Sequence, residues 1–113
     1  MEEKFATLDN SALVNLHYYM PENQTLRQLA DVFSLFSDVT RLKILSALSL
    51  SPMCVNDLSR CLSINQTTIS HQLKFLKSYN IVADERKGKI IIYSLATNLV
   101  NNVLCEVVDY IAG

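Results

Sequence analysis

The stretch Asn65-Gln-Thr-Thr-Ile-Ser-His-Gln-Leu-Lys-Phe-Leu-Lys77 decides how the rest of the chain is read. Asn65 is a good helix N-cap, because its side-chain oxygen can take an amide hydrogen that the first turn leaves free. At 100° per residue Ile69, Leu73 and Leu76 share one face of the helix that follows. Thr67, Ser70, His71, Lys74 and Ser78 point the other way. A helix that reads DNA needs this division. One face docks on its own domain; the other offers short hydrogen-bonding groups to base edges and cations to phosphates. Gln66, Thr67, Ser70 and His71 are the candidate base readers, Thr68 a further candidate DNA-binding residue, and Lys74 and Lys77 the candidate phosphate contacts. An ordinary surface helix with a solvated polar face is the competing explanation, so the neighbours of this stretch carry weight.

Upstream, Leu62-Ser63-Ile64 makes a short connector, and Val55, Leu58 and Leu62 mark a short helix before it. Together they form a helix-turn-helix over 54–79. Downstream the period changes. Ile81 and Val82 begin one strand, Lys87-Gly88 offers a turn, and Ile90-Ile91-Ile92-Tyr93 is β-branched and aromatic. The result is a hairpin wing over 81–95 whose tip carries Arg86, Lys87 and Lys89.

Further out, an acidic arm occupies 1–21, and its later part can be helical. Pro21-Glu22 starts a fresh helix with Leu26, Leu29, Ala30, Phe33 and Phe36 at helical spacing. Ser37-Asp38 ends it and caps the next, whose stripe is Leu42, Leu45 and Leu48; Ser51-Pro52 closes that one. A last helix over 97–111 carries Leu99, Val100, Val103, Leu104, Val107, Val108 and Ile111. That apolar face is broader than one flank of a small domain needs. The fold class expected is mainly α with a small β-hairpin wing, a winged helix-turn-helix, as one domain over 1–113.

Totals agree with this. With 113 residues, half of them hydrophobic, one core can form. The net charge of −1 hides an uneven distribution. Arg60, Lys74, Lys77, Arg86, Lys87 and Lys89 face only Asp84 and Glu85 between 60 and 90, a net +4 that leaves −5 elsewhere. No leading apolar run suggests a signal peptide or membrane span, so a cytoplasmic protein with no membrane partner is expected. Cys54, Cys61 and Cys105 lack zinc-ribbon spacing and are expected as reduced, buried thiols. No glycine-rich phosphate loop, paired-histidine motif or nucleophile elbow is present, and two separate histidines suggest no triad, so no enzyme is expected.

The run from Leu26 to Leu95 resembles the ArsR/SmtB family of bacterial winged-helix repressors. The resemblance rests on Leu29-Ala30-Asp31-Val32-Phe33, Ser37-Asp38-Val39-Thr40-Arg41-Leu42-Lys43-Ile44-Leu45, Met53-Cys54-Val55-Asn56-Asp57-Leu58, Thr67-Thr68-Ile69-Ser70-His71-Gln72-Leu73-Lys74, Leu76-Lys77, Arg86-Lys87-Gly88-Lys89 and Tyr93-Ser94-Leu95. It implies a homodimer, joined through its first and last helices, that represses an operon until an inducer releases it. The helix from Gln66 would then sit in the major groove, with Gln66, Thr67, Ser70 and His71 at base edges and the wing at backbone or minor groove. A two-fold dimer implies an inverted-repeat, double-stranded operator with half-sites ~34 Å apart or a multiple of that.

The resemblance weakens at the sensor. Arsenic and cadmium sensors of the family carry two or three cysteines where this chain has Cys54-Val55-Asn56-Asp57-Leu58-Ser59, with one thiol left. Soft metal ions want two or more thiolates. The zinc, cobalt and nickel positions of the last helix match Thr97, Leu99, Tyr110 and Gly113, none a usual ligand. Thiol-based sensors pair a cysteine where Ser46 stands here. Cys54 and Cys61 lie ~10 Å apart along one helix, beyond disulfide reach. Cys105 could meet its symmetry mate, with burial as a small core residue the favoured reading, and His17 could join the partner's Cys54, though a surface histidine is the ordinary reading. No cofactor is expected, and a metal at a non-standard Cys/His site stays open. A winged-helix interaction module without specific DNA binding is the alternative from another class.

Overall fold

The computed structural model describes residues 7–113, so the first six residues of the arm expected over 1–21 lie outside the described residues. The elements are α1 (Asn10–Tyr19), α2 (Asn23–Leu35), α3 (Val39–Leu50), α4 (Val55–Leu62), α5 (Gln66–Ser78), β1 (Val82–Lys87), β2 (Ile90–Leu95) and α6 (Asn98–Ala112). Helices, a helix-turn-helix pair, a hairpin and a last helix thus follow in the expected order. The chain divides into two compact units, one up to residue 31 and one over 32–113, with the boundary inside α2.

In the first unit α1 starts where the Asp9 carboxylate accepts the Ala12 amide hydrogen at 2.8 Å. It buries none of its residues. Leu26 and Leu29, on the apolar stripe of α2, are also exposed.

The second unit holds the core. Each helix start has a physical cause: Asp38 caps α3 through the Arg41 amide (3.0 Å), and Asn65 caps α5 through the Thr68 amide (2.8 Å). Ile44, Leu45, Leu58, Ile69, Leu73 and Leu76 are fully buried, so α3, α4 and α5 meet over their apolar stripes. Burying each of these side chains contributes about 1.5–3 kcal/mol. Leu35, the last residue of α2, joins this core, whereas Phe33 stays exposed.

Two left-handed residues set the joints. Ser63 (φ 56°) turns the chain out of α4, with the Ile64 amide donating to the Ser59 carbonyl at 3.2 Å. Asn80 (φ 60°) does the same after α5. There the Ile81 amide reaches back to the Leu76 carbonyl (3.1 Å) and the Asn80 amide to the Lys77 carbonyl (2.9 Å). This is a Schellman ending, and its apolar pair, Leu76 and Ile81, is buried. The first strand therefore leaves α5 at a fixed angle.

The hairpin is antiparallel, with Val82 opposite Leu95 and Lys87 opposite Ile90. Its turn is Gly88-Lys89, one residue later than the expected Lys87-Gly88. Positive φ (66°) at Gly88, and not at Lys89, is the pattern of a two-residue II′ turn, which keeps Lys87 in the ladder. A third strand piece was not expected: Met53 exchanges both backbone hydrogen bonds with Tyr93 (3.0 and 2.8 Å). The residue after Pro52 thereby anchors β2 beside the start of α4.

Candidate nucleic-acid interface

The exposed face of α5 contains Gln66, Thr67, Ser70, His71, Lys74 and Lys77, and Thr68 is half-buried on its flank. The buried face is Ile69, Leu73 and Leu76. The division expected from the period is the one observed. Exposure follows because α3 and α4 pack on the opposite side of the helix.

Three side-chain bonds fix how α5 is held. Gln66 Nε2 donates to Asn56 Oδ1 at 3.1 Å, joining the first turns of α4 and α5. Arg41 Nε on α3 donates to Gln72 Oε1 at 3.0 Å, and its Cζ lies 4.4 Å from the centroid of the Phe75 ring. At the far end Lys77 Nζ donates to Asp84 Oδ2 on β1 at 2.8 Å. That hydrogen bond, and then the Asp84 charge, hold the Lys77 ammonium above its ordinary pKa. The charge of Lys77, a candidate phosphate contact, is matched by the carboxylate across the helix–strand joint.

The hairpin carries the other cations. Opposed residues share a face of the ladder, so Arg86 lies with Ile91 on the face of Asp84 and Tyr93, while Lys87 lies with Ile90 on the other. Lys89 occupies the turn. All three are exposed. An open cleft of about 360 Å³ lies between α4, α5 and the hairpin, lined by Cys54, Asn56, Ser70, Lys89, Ile91 and Tyr93 among others. Asn56, Ser70 and Lys89 thus border one cleft, from two helices and one turn.

The candidate sensor cysteines stand at the N-cap of α4 (Cys54), on α4 (Cys61) and on α6 (Cys105). Cys54 is half-buried and serves as the N-cap of α4, its Sγ accepting the Asp57 amide at 3.5 Å. Cys61 and Cys105 are exposed, which corrects the expectation of buried thiols. Cys105 sits one position past the half-buried Leu104, so the helical turn carries it off the core-facing side of α6. His17 is exposed on α1. Among the described residues no three His, Cys, Asp or Glu side chains come together as a metal site. Thr97 Oγ1 is engaged as the N-cap of α6, accepting the Leu99 amide at 3.2 Å.

On α6 the expected apolar row splits. Val100 is 2% exposed and belongs to the chain's own core, so it leaves the expected partner surface. Val103 and Leu104 are half-buried and, with Phe33, Phe36, Leu42 and Val107, line an apolar hollow of about 220 Å³. Leu99, Val107, Val108 and Ile111 are open to solvent.

The residues missed by sequence reasoning are Arg41, Asn56 and Gln72 as supports of α5. Their partners lie 31 and 10 positions away, beyond any local period.

A helix-turn-helix whose second helix exposes a polar row, followed by a basic hairpin, is a winged helix-turn-helix. Residues 38–84 match the model of the bacterial regulatory protein, arsR family. The chain is 36% identical over 102 residues to a transcriptional repressor SmtB homolog of Synechocystis, covering 88% of this chain and 77% of that protein. It is also 36% identical over 81 residues to the transcriptional repressor SdpR of Bacillus subtilis, covering 72% and 90%. The solution structure of apo-NmtR superposes with a TM-score of 0.72 at 31% identity, over 80% of this chain and 76% of that one. A homodimeric winged helix-turn-helix DNA-binding domain from Mycobacterium bovis superposes with a TM-score of 0.70 at 27% identity, over 83% and 88%. The chain belongs to the ArsR family of bacterial regulators. No helix among the described residues is long and apolar enough to cross a membrane.

Proposed function

We propose that the chain is a sequence-specific transcriptional repressor that binds an inverted-repeat operator as a homodimer in the cytoplasm. One observation carries the reading: α5 turns Thr67, Ser70, His71 and Lys74 to solvent while Asn56, Arg41 and Asp84 hold it at three points along its length. Short donors and acceptors on a rigid, exposed helix suit base edges in a major groove. Gln66 reads at the start of the same row, and Thr68 from its flank. Arg86, Lys87 and Lys89 meet the backbone beside it, and Lys77 adds to them once it leaves Asp84. The repressor names of the Synechocystis and Bacillus relatives support the same reading.

Homodimerisation is supported by the open apolar row Leu99, Val107, Val108 and Ile111, extended by Val103 and Leu104. The Mycobacterium bovis domain of the same fold is homodimeric. An inducer releases the dimer from DNA. It acts away from the family's usual metal positions, because Thr97, Leu99, Tyr110 and Gly113 are poor ligands and Cys54 is a lone thiol.

Fluorescence anisotropy of the reduced protein on its own upstream DNA tests this, with and without Zn(II), Cd(II) and As(III). Tight, salt-sensitive binding that no ion changes is the expected result. Release by one ion would overturn the sensor reading and direct mutation to Cys54, Cys61, Cys105 and His17. Affinity that is equal for any DNA would overturn the operator reading.

A further inference from the structure

α5 has two flanks. On one, Lys77 is bonded to the hairpin and Ser70 borders the cleft that Lys89 and Ile91 line. The other bears Thr68, Gln72 and Phe75. Gln72 lies roughly 200° around the helix from Ser70 at 100° per residue. Arg41 of α3 covers this second flank. Phe75 is one turn beyond His71, so the guanidinium lies beside the exposed row and not behind it.

Two contacts fix that guanidinium. Its Nε edge is spent on Gln72 Oε1 (3.0 Å), and its face stacks on Phe75 with Cζ 4.4 Å from the ring centroid. The side chain is half-buried. Of the guanidinium's five N–H groups one is used, and among the described residues no acceptor meets the two Nη atoms. What remains is the fork edge, the one that matches paired phosphate oxygens. Stacking has already ordered the side chain, so little rotamer freedom is left to lose on binding.

We propose that Arg41 is a DNA-backbone contact, pre-oriented by Gln72 and Phe75 on the flank of α5 opposite the hairpin. This rests on reading α5 as the groove helix. A major groove is ~12 Å wide and has phosphates on both rims. The hairpin cations lie on one flank of α5 only, and Arg41 serves the other rim. A purely structural staple would need the Nε bond and the stack, but would gain nothing from a free fork edge.

The test is the salt dependence of binding to the upstream DNA by wild type, Arg41→Gln and Arg41→Lys. Arg41→Gln should weaken binding ~10-fold and lower the slope of log affinity against log salt by ~0.9 per bound protomer. Arg41→Lys should keep the slope, since the charge stays, and lose less affinity. An unchanged slope in Arg41→Gln overturns the proposal, whether affinity falls or not. Phosphate-ethylation interference with the wild type gives a second readout that no misfolded variant can disturb. Interference on both rims of each half-site is expected, and interference on the hairpin rim alone overturns the proposal. Wild type that binds all DNA alike would instead strike the reading of α5, a different result from either.

Discussion

Lys77 Nζ lies 2.8 Å from Asp84 Oδ2, so the last turn of α5 is tied to the first strand of the hairpin. The bond holds the helix and the wing together at the joint where the chain passes from α5 to β1. Its other effect is to cancel a cation on the face proposed for DNA. Lys77 is exposed and water screens the pair, so its main consequence is geometric. The raised Lys77 pKa puts the pair's pH dependence on the alkaline side. Its contribution is complete below 10.5, the ordinary lysine value, and is lost as pH rises through the higher folded value.

Asp84→Asn should therefore free a cation without touching the core. DNA affinity is expected to rise about 3- to 10-fold at ~100 mM salt, with a steeper salt dependence by roughly one counterion per protomer. Anisotropy titrations at several salt concentrations measure both. Weaker binding at every salt concentration would show that the tether, and not the charge, governs the interface.

Thr67→Ala with His71→Ala removes the middle of the exposed row on α5. Specific affinity should drop by about 2–6 kcal/mol per half-site, at about 1–3 kcal/mol for each lost base contact, while non-specific binding stays level. Neither side chain bears on the core, so the double variant should unfold with wild-type urea dependence. Competition between operator and random duplexes is the measurement, and an unchanged ratio would remove α5 from sequence reading.

Cys54 caps α4 through sulfur at 3.5 Å, a weak acceptor in a position that favours oxygen. Cys54→Ser should raise stability by about 0.5 kcal/mol in urea unfolding, with DNA binding retained. If the thiol instead carries the inducer signal, the same variant stays bound to DNA whatever reagent is added.

Ser63 holds φ 56° at the joint between α4 and α5, a region that costs most L-residues energy and glycine little. Ser63→Gly should stabilise the chain by roughly 0.5–1 kcal/mol and leave the angle between the two helices unchanged. Thermal unfolding reads the first effect, and unaltered operator affinity the second. A loss of stability would mean that chain entropy outweighs the strain.

Much of this was legible in the sequence because it is local. Asn65, Asp38 and the stripe Ile69, Leu73, Leu76 announce their helices through caps and a 3.6-residue period, and Gly88 announces a turn. Pairings across many residues leave no such trace. Nothing near Lys77 signals that Asp84 will meet it, nothing near Arg41 points to Gln72, and a lone Met53 after a proline gives no strand pattern. Val100 shows the limit of periodicity in another way. It lies on the apolar stripe with Val103 and Val107, yet where a stripe passes from the chain's own core to open surface depends on what packs beside it. The thiols were misjudged for a related reason, since the tendency of cysteine toward burial yields to its place on the helix.

The open part of that stripe carries the last prediction. Val107 is 49% exposed and Ile111 77%, one turn apart on α6, so both can be changed without entering the core. Val107→Asp with Ile111→Asp would place two carboxylates on a face proposed to meet its own copy, where each would be desolvated without a partner. The variant should remain folded by circular dichroism, since Val100 and the α3–α5 core are untouched. In sedimentation it should shift from dimer to monomer at micromolar concentration. Operator affinity should fall with it, because a single protomer reaches one half-site and loses the gain from linking two. A double variant that still sediments as a dimer would take α6 out of the interface. One that turns monomeric with full operator affinity would keep α6 at the interface and remove the need for two-fold recognition.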